Sequence, residues 1–131
     1  AAAILLVPKW LVLHSLTQNL RGLHTVTDVT TGQVKTRTWV PYSNRAGMLA
    51  TSGGILVTAM IDGTVLALHD ETLQELWRFN TGIAIKAPAV SYSVNGKQYI
   101  AIAAGAPGPG GVAWPELKDM IQGAMLYVFT L

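Results

Sequence analysis

The sequence predicts an all-β fold, and three observations carry that prediction. First, short runs rich in Val, Ile, Thr and aromatic residues recur at a spacing of roughly 8–12 residues, with turn chemistry between them. Second, Asp62-Gly63 and Asn95-Gly96 each stand between two apolar runs, the strongest short-range signal for a hairpin. Third, the chain repeats itself. Val26-Thr27-Asp28-Val29-Thr30-Thr31-Gly32-Gln33 overlays Ala67-Leu68-His69-Asp70-Glu71-Thr72-Leu73-Gln74, 41 positions later. Each copy follows an Arg-Gly or Asp-Gly turn and runs from a strand into a Thr-containing turn. A period of about 40 residues that accommodates four strands is one propeller blade. The expectation is therefore about two blades of a β-propeller, each a four-stranded antiparallel sheet, forming part of a ring.

The elements follow in order. The run AILLVP is β-rich and ends at Pro8. WLVLHSLTQNL, residues 10–20, suits a strand or a short helix, and its pattern does not arbitrate. GLHTVTD alternates from residue 22 and reads as a strand. Asp28, Thr30, Thr31 and Gly32 then supply a turn, because Asp and Thr side chains bond nearby backbone N–H groups and Gly accepts positive φ. QVKTRTWV is the returning strand, stopped by Pro41. ILVTAMI and TVLALH flank Asp62-Gly63, and ELWRF follows the Thr72 turn. APAVSYSV and KQYIAIAAG flank Asn95-Gly96. AWPELKDMIQG predicts a short helix, with Pro115 at its first position and Gly123 at its end. AMLYVFTL is the last strand.

Composition narrows the function classes. Half of the residues are hydrophobic and 12% are charged, which is too apolar for a disordered chain. The net charge of +2 is scattered, so no basic footprint for nucleic acid is present. Cysteine is absent, which removes thiolate catalysis, thiolate metal sites and disulfides. The apolar start, AAAILLVPKWLVL, is interrupted by Pro8 and Lys9 and is too short to span a bilayer. It also lacks the charged leading region of a signal peptide.

The turn ALHDETLQELW gives the repeat a physical purpose. A small residue, Ala67, permits close backbone packing, His69 and Thr72 tie the turn, and Trp77 is large and flat enough to lie over the next blade. Its indole N–H would then need a carbonyl partner. This pattern resembles the tryptophan-docking motif, A-x-D-x-x-T-G-x-x-x-W, of the quinoprotein alcohol and methanol dehydrogenases. One copy keeps Ala67, Thr72 and Trp77 but has His69 for Asp and Leu73 for Gly. The other keeps Asp28, Thr31 and Gly32 but has Thr36 for Trp. GMLATSGGILVTAMIDGTVLAL and APAVSYSVNGKQYIAIAAG are similar to two further stretches of that family, so residues 47–105 carry the resemblance best. Residues 106–131 match in layout, and residues 1–21 match weakly, as a strand or linker region ahead of propeller blades over residues 22–131.

The resemblance implies the rest. Such enzymes are eight-bladed propellers that hold pyrroloquinoline quinone (PQQ) and a Ca²⁺ or lanthanide ion near the axis. They oxidise an alcohol by hydride transfer to the quinone and are usually exported to the periplasm. The present chain would be their C-terminal blades, with the metal ligands and the catalytic base outside it, so no catalytic and no metal-ligating residue is assigned. Two positions fall where the family approaches the quinone. Arg45 stands where a Trp is usual and could pair with a quinone carboxylate as a bidentate donor, the alternative being a solvated loop arginine. Trp10 could stack on a flat group, the alternative being a core residue. Trp114 reads as packing. His14, His24 and His69 are dispersed and read as structural or solvated. Glu116 and Asp119 share a helical face that reads as exposed. GAPGPGG lacks the Lys-Ser/Thr of a phosphate loop. The expected partners are the remaining blades or further copies of the chain, together with a small alcohol in the complete enzyme. The other reading is a degenerate, non-enzymatic propeller scaffold or binding module.

Overall fold

The computed structural model describes residues 21–105 and 114–130. The two earliest apolar runs, with Trp10 and His14, lie outside the described residues, as does the GAPGPGG loop beyond Gly105. The strands are β1 (Gly22–Thr27), β2 (Val34–Val40), β3 (Met48–Ala50), β4 (Ile55–Ala59), β5 (Thr64–His69), β6 (Glu75–Asn80), β7 (Val90–Val94), β8 (Lys97–Ala104) and β9 (Met125–Thr130). They form three antiparallel sheets in strict chain order: β1-β2, then β3-β4-β5-β6, then β7-β8-β9. This is the all-β, partial-ring architecture that the periodicity predicts. The four-stranded sheet is one whole blade.

Period-2 alternation sets the packing. Along β4 and β5 nearly every residue is buried, because the middle sheet is covered on both faces. Leu56, Leu66 and Leu68 turn to one side and join Val26 and Val40 of the first sheet, with Met60 and Leu73. Val57, Ala59 and Val65 turn to the other and join Ile100, Ile102 and Ala104 of the third. Each such aliphatic side chain contributes about 1.5–3 kcal/mol on burial, so two apolar seams hold three sheets face to face. Among the described residues, the far face of the third sheet has no such cover. Val90, Tyr92 and Val94 of β7 and Leu126 and Val128 of β9 are exposed there, on the side that their pairing with Tyr99, Ala101 and Ala103 defines.

The 41-residue repeat is present in atomic detail. The β1–β2 ladder slips between Val26 and Thr27, and the β5–β6 ladder slips between Ala67 and Leu68, which are equivalent positions. In the first turn Asp28 N donates to Gln33 O and Gly32 N to Asp28 O. In the second, His69 N donates to Gln74 O and Leu73 N to His69 O. Gly32 and Leu73 both hold positive φ, 72° and 58°. The glycines that open each copy match too. A Cβ on Gly22 would stand 2.6 Å from Tyr42 O, and one on Gly63 2.7 Å from Ile83 O. Both acceptors are again 41 positions apart.

One element differs from expectation. In place of a helix to Gly123, a single 3-10 turn spans Pro115–Leu117. Pro115 does open it, but the segment that follows packs little and has no apolar stripe to bury. Its Ile121 is 67% exposed. A helix this short gains little without tertiary packing.

Candidate functional site

Antiparallel connections divide the loops between two rims. The β1–β2, β3–β4, β5–β6 and β7–β8 turns share one rim. The other rim gathers the β2–β3 segment, the β4–β5 turn, the β6–β7 segment and the β8–β9 connection. Backbone bonds knit this second rim together: Ile61 N donates to Ser43 O, Thr81 N to Gly63 O, and Gly105 N to Ala84 O.

Arg45 stands on this second rim, in the segment that enters β3. Asn44 fixes the segment. Its amide donates to Thr58 Oγ1 (2.7 Å) and Gly47 O (3.2 Å), and its carbonyl accepts from Ala46 N (3.0 Å). Thr58 Oγ1 donates in turn to Gly47 O. Ala46 is thereby pinned in the apolar seam and Arg45 is left exposed, with no ion-pair partner among the described residues. A guanidinium presented in this way can meet a carboxylate in two parallel hydrogen bonds. Trp10, the other residue expected near a cofactor, lies outside the described residues.

A second cluster on the rim was not legible in the sequence. Tyr42 meets Trp114 edge-on, with ring centroids 6.2 Å apart, and the Glu116 carboxylate is near enough to act on its phenol. Burial, and after it the Glu116 and Asp62 carboxylates, push the phenol above its ordinary pKa. At the other end of the same connection, Gly82 and Ile83 lie beneath Ile121 and Gly123. Residues 114–124 thus cross the rim of the middle sheet from its first-sheet side to its third-sheet side. Asp119 lies 3.9 Å from Lys118, and Glu116 and Asp119 are both exposed.

The residues of the repeated turn have the following geometry. Asp28 Oδ1 accepts from Thr30 N (2.9 Å) and Thr31 N (3.1 Å). These bonds, Thr31 first, hold the carboxyl below its ordinary pKa. Thr31 Oγ1 accepts from Gln33 N, as Thr72 Oγ1 does from Gln74 N. In the second copy His69 replaces the aspartate, and its Nδ1 accepts from Glu71 N at 3.2 Å. His69 is a turn residue, and among the described residues no three His, Asp or Glu converge as metal ligands. Trp77 is 43% exposed. Its ring meets Phe129 of the third sheet edge-on at 5.2 Å and stacks parallel to Phe79 at 6.1 Å. The indole N–H has no hydrogen-bond partner among the described residues, so its contact with the next sheet is aromatic where a carbonyl was expected. Trp77 and Phe129 line an apolar cleft of about 570 Å³ between the two sheets.

No family model matches the chain. Over 90 residues, 66% of its length, it is 36% identical to the quinoprotein ethanol dehydrogenase of Pseudomonas putida, of which it covers 14%. Its fold superposes on the quinohemoprotein alcohol dehydrogenase of Comamonas testosteroni with a TM-score of 0.71. The identity there is 22%, and the match covers 82% of this chain and 16% of that one. A europium-containing methanol dehydrogenase gives a TM-score of 0.71 at 23% identity, covering 83% of this chain and 23% of that one. The chain therefore spans about one seventh of the length of the curated relatives it matches. In sequence it is homologous to the PQQ-dependent quinoprotein alcohol and methanol dehydrogenases, and in fold it resembles a C-terminal fragment of their propeller.

Proposed function

We propose that the chain is a sector of a PQQ-dependent dehydrogenase that oxidises a primary alcohol by hydride transfer to the quinone. On this reading it supplies blades and part of the cofactor's surroundings and is not catalytically complete alone. The observation that carries the reading is the 36% identity over 90 residues to an enzyme named for ethanol oxidation. Arg45 fits one edge of the quinone, because its exposed guanidinium sits on a fixed loop and a carboxylate can reach it. A Ca²⁺ or lanthanide ion would draw its ligands from blades outside the described residues. Trp77, with Ala67 and Thr72 behind it, would dock the middle sheet on the third, as Asp28, Thr31 and Gly32 tie the equivalent first turn. Residues 22–131 would be the blade region and residues 1–21 a separate strand or linker. The periplasm is the proposed location, because the relatives are bacterial enzymes of an exported type. Among the described residues no helix is long and apolar enough to cross a membrane.

The test adds PQQ with Ca²⁺ to the chain and passes it over a desalting column before a dye-linked alcohol assay. Quinone absorbance retained by the protein, and reduced in Arg45→Ala, is the expected result, with turnover appearing only when the remaining blades are supplied. The second reading is a non-enzymatic scaffold, favoured by Arg45 in place of Trp and Thr36 in place of a docking Trp. Loss of all quinone on the column from a protein with intact β-rich circular dichroism would establish that reading instead.

A further inference from the structure

We propose that His24 makes the seam between the first and second sheets acid-labile: one proton taken up by its imidazole opens that seam and leaves the seam between the second and third sheets closed. The inference is independent of the dehydrogenase reading and rests on the repeat. His24 stands 41 positions before Val65, and both are the inward-facing residue at the same level of equivalent strands. Val65 is 0% exposed in the centre of the second seam, among aliphatic neighbours. His24 is 2% exposed at the matching place in the first seam, on the same side of β1 as Val26. Both of its ring nitrogens lack a hydrogen-bond partner among the described residues. A titratable ring thus occupies a position that its repeat partner fills with a hydrocarbon.

Among the described residues, its surroundings give a new charge nothing to pair with at close range. On its own face of the first sheet lie Val26, Thr36, Thr38 and Val40. From the middle sheet come Leu56, Met60, Leu66 and Leu68. The charged groups on that side of the middle sheet are Arg78 and Glu75, which are bound to each other near the surface. At the rim end are Tyr42, a neutral phenol, and Ser43, whose hydroxyl is also buried and has no partner among the described residues. The Asp62 and Glu116 carboxylates act on Tyr42 there, Asp62 being held by Thr64 and Glu116 being exposed. At the opposite end Asp28 is occupied by its own turn. Protonation buries an uncompensated cation between two apolar sheets, and separating them is the relief available. Burial accordingly pushes the imidazole down from 6.5 to about 4.

The sign follows from that direction. A folded-state value below the unfolded one means that the open state binds the proton more readily. The seam keeps its full stability above pH 6.5, weakens as pH falls through the interval down to about 4, and changes no further below it. The experiment is amide hydrogen exchange on the whole chain, corrected for intrinsic rates, between pH 7 and pH 4. The expected result is an increase in opening of β1 and β2 on the order of a hundredfold, with β7 and β8 protected at both pH values. In His24→Val, which installs the residue of the equivalent seam, the pH-dependence of β1 and β2 disappears. Parallel loosening of all three sheets would overturn the proposal. So would an unchanged pH profile in His24→Val, or an imidazole that titrates near its ordinary value in the folded chain by NMR.

Discussion

Leu73 shows how one side chain can override a backbone preference. It holds φ of 58°, where its repeat partner Gly32 holds 72°, and a non-glycine residue there is strained by about 1–3 kcal/mol. Glycine would remove the strain, yet Leu73 is buried among Leu66, Leu68 and Leu56. Truncating such a leucine costs about 2–5 kcal/mol, so packing wins. Leu73→Gly is expected to lower stability by about 1–3 kcal/mol in urea titration, although it restores the residue that the turn geometry favours. A midpoint at or above wild type would mean that strain dominates. His24 presents the opposite balance. Two buried nitrogens with no partner among the described residues cost more than the ring's apolar surface returns, and His24→Val is expected to gain about 1–3 kcal/mol at pH 7. A loss in the same titration would show that the ring finds partners that its present surroundings do not offer.

Elements are held in place here by few contacts, and those contacts decide what the sequence reveals. The β2–β3 segment depends on Asn44, whose side chain makes three hydrogen bonds across to Thr58, Gly47 and Ala46. Asn44→Ala is expected to cost about 2–3 kcal/mol and to loosen Arg45 at the same time, read as faster amide exchange at Ala46 and Gly47. At the outer strand, a double-mutant cycle on Trp77 and Phe129 should return a coupling of about 0.5–1.5 kcal/mol, the worth of an edge-on aromatic pair. No coupling would leave Trp77 merely resting on the surface. β1 and β2 were legible because burial of one sheet face imposes period 2 on the residues themselves, and β4 and β5 because burial on both faces makes each a continuous apolar run beside the Asp62-Gly63 turn. β3 was less so, because its three residues run directly into the Thr51 turn. The segment 115–123 was misjudged because Pro115 marks a start but nothing marks an apolar face. Arg45 was singled out only through the resemblance, by its place just ahead of the matched stretch from residue 47. The Asn44 clamp and the Tyr42–Trp114–Glu116 cluster were not legible, since they join residues far apart in sequence through contacts that leave no local pattern.

At the scale of the whole molecule the two seams differ from the outer faces only in being covered. The middle sheet is buried on both sides, and the third sheet presents Val90, Tyr92, Val94, Leu126 and Val128 on an exposed face that no other described element covers. β9 has a further unpaired edge beside that face among the described residues. Blade repeats bury their apolar sides only against neighbours, and an open strand edge is a template for pairing. The 131-residue chain on its own is therefore expected to associate at micromolar concentration, and light scattering should report a mass above 14.0 kDa. Charge on the open face should reverse this without disturbing either seam. Val90→Glu combined with Leu126→Glu places two carboxylates where a covering sheet would have to desolvate them, and the expected outcome is a monomer with wild-type circular dichroism. A wild-type chain that remains monodisperse and monomeric would mean that this face is satisfied within the chain. A double variant that associates as before would move the contact to the β9 edge or to the exposed Trp39 at the opposite end of the sector.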